Sequence, residues 1–388
     1  MPTEAIKFLK PLIEFESVST RSNASISDHV ETQLRSLGFE TERIEYTDGN
    51  GVLKVCVVGR RGPTVADDSE TTGGMGWFGH TDVVPADDWY SETGPWKAVI
   101  DGDRLFGRGS CDMKGPIACM LTAAARTRDV ELKRPLFITC TADEEIGYAG
   151  ALAVVRQSKF FREMVDRQVS TIIGEPTMLD VVYAHKGSVG FSAIAQGRAA
   201  HSSTNEGINA NLAMIPFLQE MKNIHDEANR DERWQDERFD PPVLSWNIGV
   251  NDHTAAINIT PAQSICTVYF RPMPSMDCGE LIDRARVAAD RCGLEFQTRI
   301  SGPPMYTPPD SPFVAEVLKL TGRATPKTVC YGTDGAEFGE LDNRVVCGPG
   351  DIAQAHTRDE WIALDQLAAG SNLYQRMVHH WCTDSDND

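Results

Sequence analysis

The sequence has no long apolar run and no closely paired cysteines. No segment contains about 18 consecutive apolar residues, and the N-terminal stretch MPTEAIKFLKPLIEFESVS is charged along its length, which argues against a spanning helix and a signal peptide. The 10 cysteines occur singly, without a C-x-x-C pair, so a disulfide framework and a thiolate metal site are both disfavoured. These absences predict a cytoplasmic protein with buried thiols.

Positive charge is also scarce. Lysine and arginine total 37 against 56 aspartates and glutamates, which gives a formal net charge of −19. This balance disfavours nucleic acids and anionic membranes as partners. It would suit a cationic substrate, but solubility, including solubility in a saline cytoplasm, is the preferred interpretation.

The length of 388 residues predicts two domains, since a single hydrophobic core seldom grows to this size. Buried-strand patterns such as LKVCVVG, MGWFGH and RPLFITCT alternate with helical ones in the first 180 residues, and this alternation is typical of an α/β domain. From residue 184 an alternating strand, a long amphipathic helix and a strand pair indicate a small α+β insert. We therefore predict a layered α/β domain from 1–183 and 297–388, interrupted by an insert at 184–296.

Residues with ligand chemistry follow successive strands of the predicted outer domain. In open α/β sheets ligands bind beyond the carboxyl ends of the strands, and imidazoles with carboxylates suit a pair of divalent metal ions. Such ions would also explain two adjacent glutamates, whose charges otherwise repel. The candidates are His80 and Asp82 in GHTDVVP, Asp112 in GRGSCDMKG, Glu144 and Glu145 in ADEEIG, Glu175 in IGEPT, and His356 in GPGDIAQAHTRDEW.

The spacing of these residues suggests separate roles. His80 and Asp82 project to the same side of an extended chain, so the Asp82 carboxylate can accept the N–H of the imidazole nitrogen that does not bind metal. Glu144 and Glu145 diverge, which allows one to bind metal while the other accepts a proton from the attacking water.

These motifs, together with AHKGSVGFSAIAQGRAAHSS, resemble those of the dizinc metallopeptidase family that holds deacetylases and desuccinylases of amino acids, aminoacylases and glutamate carboxypeptidase. The resemblance covers nearly the whole chain in the right order. It implies a mixed-sheet catalytic domain like that of zinc peptidases and a ferredoxin-like insert that serves as lid and dimerisation domain. It also implies two divalent ions, zinc with cobalt or manganese as alternatives, and a homodimer formed through the insert.

The resemblance further implies a role for each matching residue. Asp112 would bridge the two metals, His80 and Glu175 would complete one site, and Glu145 and His356 the other. Asp82 would orient His80, Glu144 would be the general base, and His201 in GRAAHSS would stabilise the oxyanion, from its own or the partner subunit. The predicted substrate contacts are Lys186, Asn258, Arg271, Thr333 and Asp334.

Local features favour one substrate within the family. AHKG at 184–187 and the motif around His356 resemble enzymes that act on N2-acetylornithine, whereas desuccinylases tend to carry paired arginines at the first position. Asp334 and Glu337 could line a pocket for the ornithine ammonium; the alternative is that both face solvent. Asn258 and Arg271 are equally compatible with a structural role.

The leading hypothesis is hydrolysis of an N-acyl amino acid, most specifically N2-acetyl-L-ornithine. A desuccinylase, an aminoacylase and a dipeptidase or carboxypeptidase are the alternatives within the class. A metal-binding relative without catalysis is disfavoured, because such a protein has no use for Glu144 as an unliganded base.

Overall fold

The computed structural model describes residues 3–63, 72–90 and 92–383, and the chain folds as two compact units. The first unit comprises Met1–Tyr183, Thr307–Lys327 and Thr333–Asp388, and the second comprises Ala184–Tyr306 and Thr328–Gly332. The strands are β1 (Glu40–Thr47), β2 (Leu53–Arg61), β3 (Met75–His80), β4 (Val99–Asp101), β5 (Arg104–Phe106), β6 (Leu136–Thr141), β7 (Ser170–Pro176), β8 (Val182–His185), β9 (Ser188–Gln196), β10 (Asn247–Asn251), β11 (Gln263–Phe270), β12 (Glu295–Gly302), β13 (Met305–Tyr306), β14 (Lys327–Val329), β15 (Arg344–Gly348) and β16 (Trp361–Ala363).

Both units contain helices. They are α1 (Thr3–Glu14), α2 (Ala24–Ser36), α3 (Lys114–Arg126), α4 (Glu144–Gly147), α5 (Ala149–Gln157), α6 (Lys159–Arg167), α7 (Ala210–Arg230), α8 (Gly279–Arg291), α9 (Pro312–Thr321) and α10 (Leu364–Cys382). The ends of α9 carry the residues that are typical of helix ends. The Ser311 side chain accepts the N–H of Val314, proline occupies the first helical position, and Gly322 ends the helix with φ 71°. Among the described residues, none of these helices combines the length and apolarity needed to cross a bilayer.

A mixed sheet with a parallel centre organises the first unit. Its strand order is β1-β2-β6-β3-β7-β15-β8, and β6, β3, β7 and β15 run parallel to one another. The strands β3, β6 and β15 are buried along their whole length and β7 from its second residue, and their residues are mostly apolar, as expected for parallel strands covered on both faces. The carboxyl ends of four neighbouring strands therefore meet at one edge of the sheet.

Helices cover both faces of this sheet. Trp77 and Phe78 are consecutive in β3 and so point to opposite faces. The Trp77 ring packs 5.9 Å from Tyr374 of α10, and the Phe78 ring packs 6.4 Å from Phe161 of α6. The predicted layered α/β class with a mixed sheet is confirmed.

The second unit is a four-stranded antiparallel sheet with two helices. Its elements follow the order β9-α7-β10-β11-α8-β12, and its strands lie in the order β10-β11-β9-β12, which is the ferredoxin-like arrangement. The strand β12 pairs with β9, so the boundary predicted at 296 falls inside a strand of this sheet. The pattern of LEFQTRIS shows a strand but not the sheet to which it belongs.

Candidate metal centre

The predicted ligands lie at the carboxyl ends of adjacent parallel strands. His80 is the last residue of β3, Glu175 is close to the end of β7, and Glu144 and Glu145 follow β6. A glycine precedes His80 because a Cβ at Gly79 would lie 2.6 Å from the Trp77 ring.

Asp112 lies between two groups of possible ligands. Its Oδ1 is 3.0 Å from His80 Nε2, and its Oδ2 is 3.4 Å from His356 Nε2. One group comprises His80, Asp112 and Glu175, and the other comprises Asp112, Glu145 and His356; within each, one ligand atom per residue lies within 4.8 Å of the others. The two oxygens of one carboxylate thus face different groups, as expected of a bridging ligand.

The electrostatics of these residues fit divalent cations. Burial raises the pKa of Glu175 well above its usual range, and the nearby Asp112 carboxylate raises it further. Hydrogen bonds to Asp112 and Glu145 raise the pKa of His356 to about 10. The buried Glu145 Oε1 has no hydrogen-bond partner among the described residues. A cation would satisfy that oxygen and offset the repulsion among the carboxylates, so the donor set fits the predicted metals.

Glu144 stands beside the two groups and belongs to neither. Its Oε2 lies 3.9 Å from His80 Nε2, and its side chain is only 10% exposed. Burial raises its pKa well above the usual range; among the nearby charges His80 lowers it, whereas Glu175 and Glu145 raise it. A carboxylate that is free of a ligand role and has a raised pKa is suited to proton transfer near neutral pH.

The hydrogen bond of His80 differs from the expectation. Nδ1 of His80 lies 2.9 Å from the main-chain oxygen of Asp82, whereas the Asp82 carboxylate is 3.6 Å away. The acceptor nearest to Nδ1 is thus the Asp82 carbonyl and not the Asp82 carboxylate. A neutral imidazole that donates its Nδ1 proton to this carbonyl would leave Nε2, which faces Asp112, free to bind a metal.

The Asp82 carboxylate instead contacts the chain that carries the paired glutamates. It accepts the N–H of Glu144 at 3.3 Å and that of Glu145 at 3.4 Å, and Ser19 Oγ donates to it at 2.7 Å. Asp82 is thus placed to hold the main chain of Glu144 and Glu145, and its predicted role in orienting His80 remains a prediction.

A buried glutamate supports the loop that presents Asp112. Glu360 accepts the main-chain N–H groups of Gly109, Cys111 and Asp112 at 2.8–2.9 Å. It also accepts Arg108 Nη1 at 2.8 Å, and both side chains of this ion pair are at most 2% exposed. The pairing of β5 with β16 brings Glu360 to the loop. Sequence reasoning missed Glu360 and Arg108, because no local pattern marks residues whose partners are 248 to 252 positions away.

The predicted contacts in the first unit are Thr333 and Asp334. Asp334 is 2% exposed, its Oδ2 accepts the Thr141 hydroxyl, and burial raises its pKa to about 7. The alternative in which Asp334 faces solvent is therefore wrong. Thr333 is also buried, and its Oγ1 accepts the N–H of Gly335.

The remaining predicted contacts belong to the second unit. The ammonium of Lys186 donates to the carbonyls of Pro241 and Val243 at 2.7 and 2.6 Å, and burial lowers its pKa. Arg271 donates to Ser188 Oγ at 2.9 Å. His201 and Asn258 are exposed, and Ser203 Oγ lies 2.7 Å from His201 Nδ1. The substrate and oxyanion roles of these residues remain predictions.

A layered α/β sheet whose strand ends gather two ligand groups around one shared carboxylate, with a free glutamate beside them, defines the class of metal-dependent hydrolases. The profile of peptidase family M20/M25/M40 matches residues 76–380. The chain belongs to this family.

Individual relatives agree with this membership. Acetylornithine deacetylase of Myxococcus xanthus is 31% identical over 383 residues, covering 96% of both chains. Acetylornithine deacetylase of Klebsiella pneumoniae (strain 342) is 31% identical over 392 residues, covering 97% of both. Among solved structures, the M20 metallo-carboxypeptidase Sso-CP2 of Sulfolobus solfataricus matches with a TM-score of 0.76 at 16% identity, covering 97% of this chain and 98% of that one.

Proposed function

We propose that this chain hydrolyses the amide bond of N-acyl amino acids, and specifically converts N2-acetyl-L-ornithine into L-ornithine and acetate, a step of arginine biosynthesis. The observation that carries the proposed reaction is the position of Glu144, whose Oε2 lies 3.9 Å from His80 Nε2 while the residue belongs to neither ligand group. The substrate is supported by the two relatives named acetylornithine deacetylase, which align with nearly the whole chain.

In the proposed reaction, metal binding, proton transfer and positioning fall to different residues of the site. Divalent cations held by the two groups, zinc in our proposal with cobalt or manganese as alternatives, would lower the pKa of water and polarise the substrate carbonyl. Glu144 accepts the proton that the attacking water loses and returns it to the departing amine. Asp112 keeps the two groups together, and the Asp82 carboxylate holds the main chain that carries Glu144.

A substrate panel tests the proposal. The purified protein, loaded with zinc and assayed for metal content, is offered acetylated amino acids including N2-acetylornithine, succinyl-diaminopimelate and dipeptides, and amine release is measured. We expect about two metal ions per chain and the highest kcat/KM with N2-acetylornithine. Turnover of succinyl-diaminopimelate with inert N2-acetylornithine would replace the proposed substrate by the desuccinylase alternative. Absence of hydrolysis across the panel would contradict the proposed reaction.

We also propose that two chains associate through the second unit. The strand β10 is at the edge of its sheet, and an edge strand offers unpaired N–H and C=O groups to another chain. Large apolar side chains nearby are exposed: Val250 of β10 by 58%, and Leu212 and Ile215 of α7 by 68% and 59%. A hydrogen bond of 2.9 Å from Asn211 to Asp252 joins the start of α7 to the end of β10. An apolar surface of this kind is typical of a homodimer interface.

A further inference from the structure

The turn that presents Glu144 begins and ends with residues in the left-handed region. Asp143 has φ 60° and Tyr148 has φ 63°, on either side of the four residues of α4. Left-handed backbone is unfavourable for residues other than glycine, although aspartate and asparagine tolerate it better than most. The carbonyl of Asp143 accepts the N–H of Tyr148 at 2.9 Å, so Asp143 fixes both the entry and the closure of the turn.

The Asp143 side chain is fixed by two residues of neighbouring strands. Its Oδ1 accepts Lys54 Nζ at 2.6 Å, and its Oδ2 accepts the Tyr46 hydroxyl at 2.8 Å. Tyr46 of β1 and Lys54 of β2 lie directly opposite each other in the antiparallel pair, so both side chains project from the same face. Both oxygens of the carboxylate are therefore held, and the residue cannot rotate without breaking a bond.

Lys54 connects this carboxylate to the second support of the turn. Its ammonium also donates to the carbonyl of Ser19, and Ser19 Oγ donates to the Asp82 carboxylate at 2.7 Å. Asp82 in turn accepts the N–H groups of Glu144 and Glu145. One buried ammonium thus holds the turn from two sides, through Asp143 and through Ser19 with Asp82.

The free-energy cost of burying the Lys54–Asp143 ion pair indicates that the pair has a role beyond packing. Lys54 is 1% exposed on a strand whose next four residues, 55–58, are apolar and fully buried. A buried ion pair is often replaceable by apolar residues with no loss of stability, because removing two charges from water is unfavourable. An ammonium kept at this position, next to the turn of the paired glutamates, points to a demand for accurate geometry there.

We propose that Lys54, Asp143 and Tyr46 are positioning residues for Glu144. They hold the main chain of the turn so that the Glu144 carboxylate stays within reach of the attacking water. This inference rests on the proposed function, in which Glu144 is the base. It does not require any of the three residues to touch the substrate or a metal.

Two variants remove the ion pair between Lys54 and Asp143 with little change in side-chain size. Asp143→Asn keeps the side-chain size and a residue type that accepts left-handed backbone, and Lys54→Met keeps the length of the stem. We expect kcat on the best substrate of the panel to fall about tenfold to a hundredfold, with KM and metal content close to those of the wild type. Tyr46→Phe, which loses one of the two bonds, should lower kcat by about twofold to tenfold.

Glu163→Gln is the matched control. Glu163 accepts Arg60 Nε at 2.8 Å in another ion pair with little exposure, and Arg60 belongs to the same strand as Lys54. This variant should lower the melting temperature without changing kcat per folded, metal-loaded chain. If Asp143→Asn and Lys54→Met changed only the melting temperature, as Glu163→Gln is expected to do, the positioning role would be refuted.

Amide hydrogen exchange tests the geometry without any substrate. Exchange of a peptide covering residues 142–148 should be faster in Asp143→Asn and Lys54→Met than in the wild type and in Glu163→Gln. Unchanged exchange in the first two variants would overturn the inference even if activity had fallen. If the wild type hydrolysed nothing in the panel, the proposed function would fail while the exchange still decided whether these residues hold the turn. Should Lys54→Met not fold, Asp143→Asn and Tyr46→Phe decide by both measurements.

Discussion

At the residue scale, the carboxylates of the site differ in whether they belong to a group of possible metal ligands. Asp112 directs its two oxygens to His80 and His356, and Glu145 contacts His356 at 2.9 Å. Glu144 follows the same strand but stands apart from both ligand groups. Adjacent residues in one turn thus acquire different chemistry because their side chains diverge.

Replacing Glu144 should separate catalysis from metal binding. Glu144→Gln keeps the size of the side chain but cannot accept the proton of the attacking water, so kcat should fall about a hundredfold to ten-thousandfold. Metal content, measured by mass spectrometry of the dialysed protein, should equal that of the wild type.

Asp112→Ala is the contrasting variant. It removes the carboxylate shared by both ligand groups, so metal content and turnover should be lost together. Loss of metal in Glu144→Gln would contradict the role of Glu144 as a base that does not bind metal. Retention of two ions per chain in Asp112→Ala would contradict the role of Asp112 as the shared ligand.

Metal uptake should release protons and strengthen with pH. Burial and neighbouring carboxylates raise the pKa of Glu175 and Glu145, and hydrogen bonds to Asp112 and Glu145 raise that of His356 to about 10. His356 therefore carries a proton near neutral pH that a cation must displace, and the raised pKa values of the two glutamates act in the same direction, so the apparent affinity should rise as pH increases towards about 10. Calorimetry of zinc binding in two buffers of different ionisation enthalpy measures the release. An affinity that stays constant between about pH 6 and pH 9 would contradict the prediction.

At the scale of elements, short strands and loops carry the support that the large sheet does not supply. Pairing of β5 with β16 places Glu360 under the loop that ends at Asp112. Its carboxylate accepts three main-chain N–H groups and the Arg108 guanidinium, so this loop is held by a single buried charge.

Neutralising this charge should weaken both the fold and the metal site. Glu360→Gln presents an amide N–H₂ to groups that are all donors, and leaves Arg108 buried without its counter-ion. We expect the free energy of unfolding to fall by about 3 kcal/mol. Zinc affinity should fall about tenfold to a hundredfold.

Denaturant unfolding and a chelator competition measure the two effects. Glu340→Gln is the control, because it breaks an exposed pair with Arg162 and should change the free energy of unfolding much less than Glu360→Gln does. Equal losses in the two variants would show that the buried position of Glu360 is unimportant.

At the scale of the whole molecule, the two units differ in the residues that they expose and bury. The first unit gathers the predicted metal ligands, whereas the second carries an edge strand and exposed apolar side chains. An insert that does not contribute to the ligand groups is free to serve association, and this is the basis of the proposed homodimer.

A charge on the edge strand should disrupt the proposed dimer. Val250→Asp places a carboxylate on β10, and we expect a shift from dimer to monomer in light scattering without loss of helicity. Val287→Asp is the matched control, since Val287 of α8 is 56% exposed, close to the 58% of Val250. A wild type that is monomeric, or a Val250→Asp variant that stays dimeric, would contradict association through this surface.

Much of the fold could be predicted because burial leaves a local pattern. The apolar runs at β3 and β6 and the helical periodicity between them were sufficient for the α/β class. The sheet to which β12 belongs could not be predicted, since β12 has an ordinary strand pattern and only its partner β9 shows which sheet it joins.

The sequence by itself determined the α/β class and the presence of imidazoles and carboxylates after successive strands, whereas the role of one paired glutamate as a base stays a prediction. Only the tertiary structure decided what holds these residues. The bond of His80 to a carbonyl, the buried Glu360 under the Asp112 loop and the link from Lys54 to Asp143 join residues up to 251 positions apart. Periodicity records whether a side chain is buried, but the identity of its hydrogen-bond partner depends on how distant strands align.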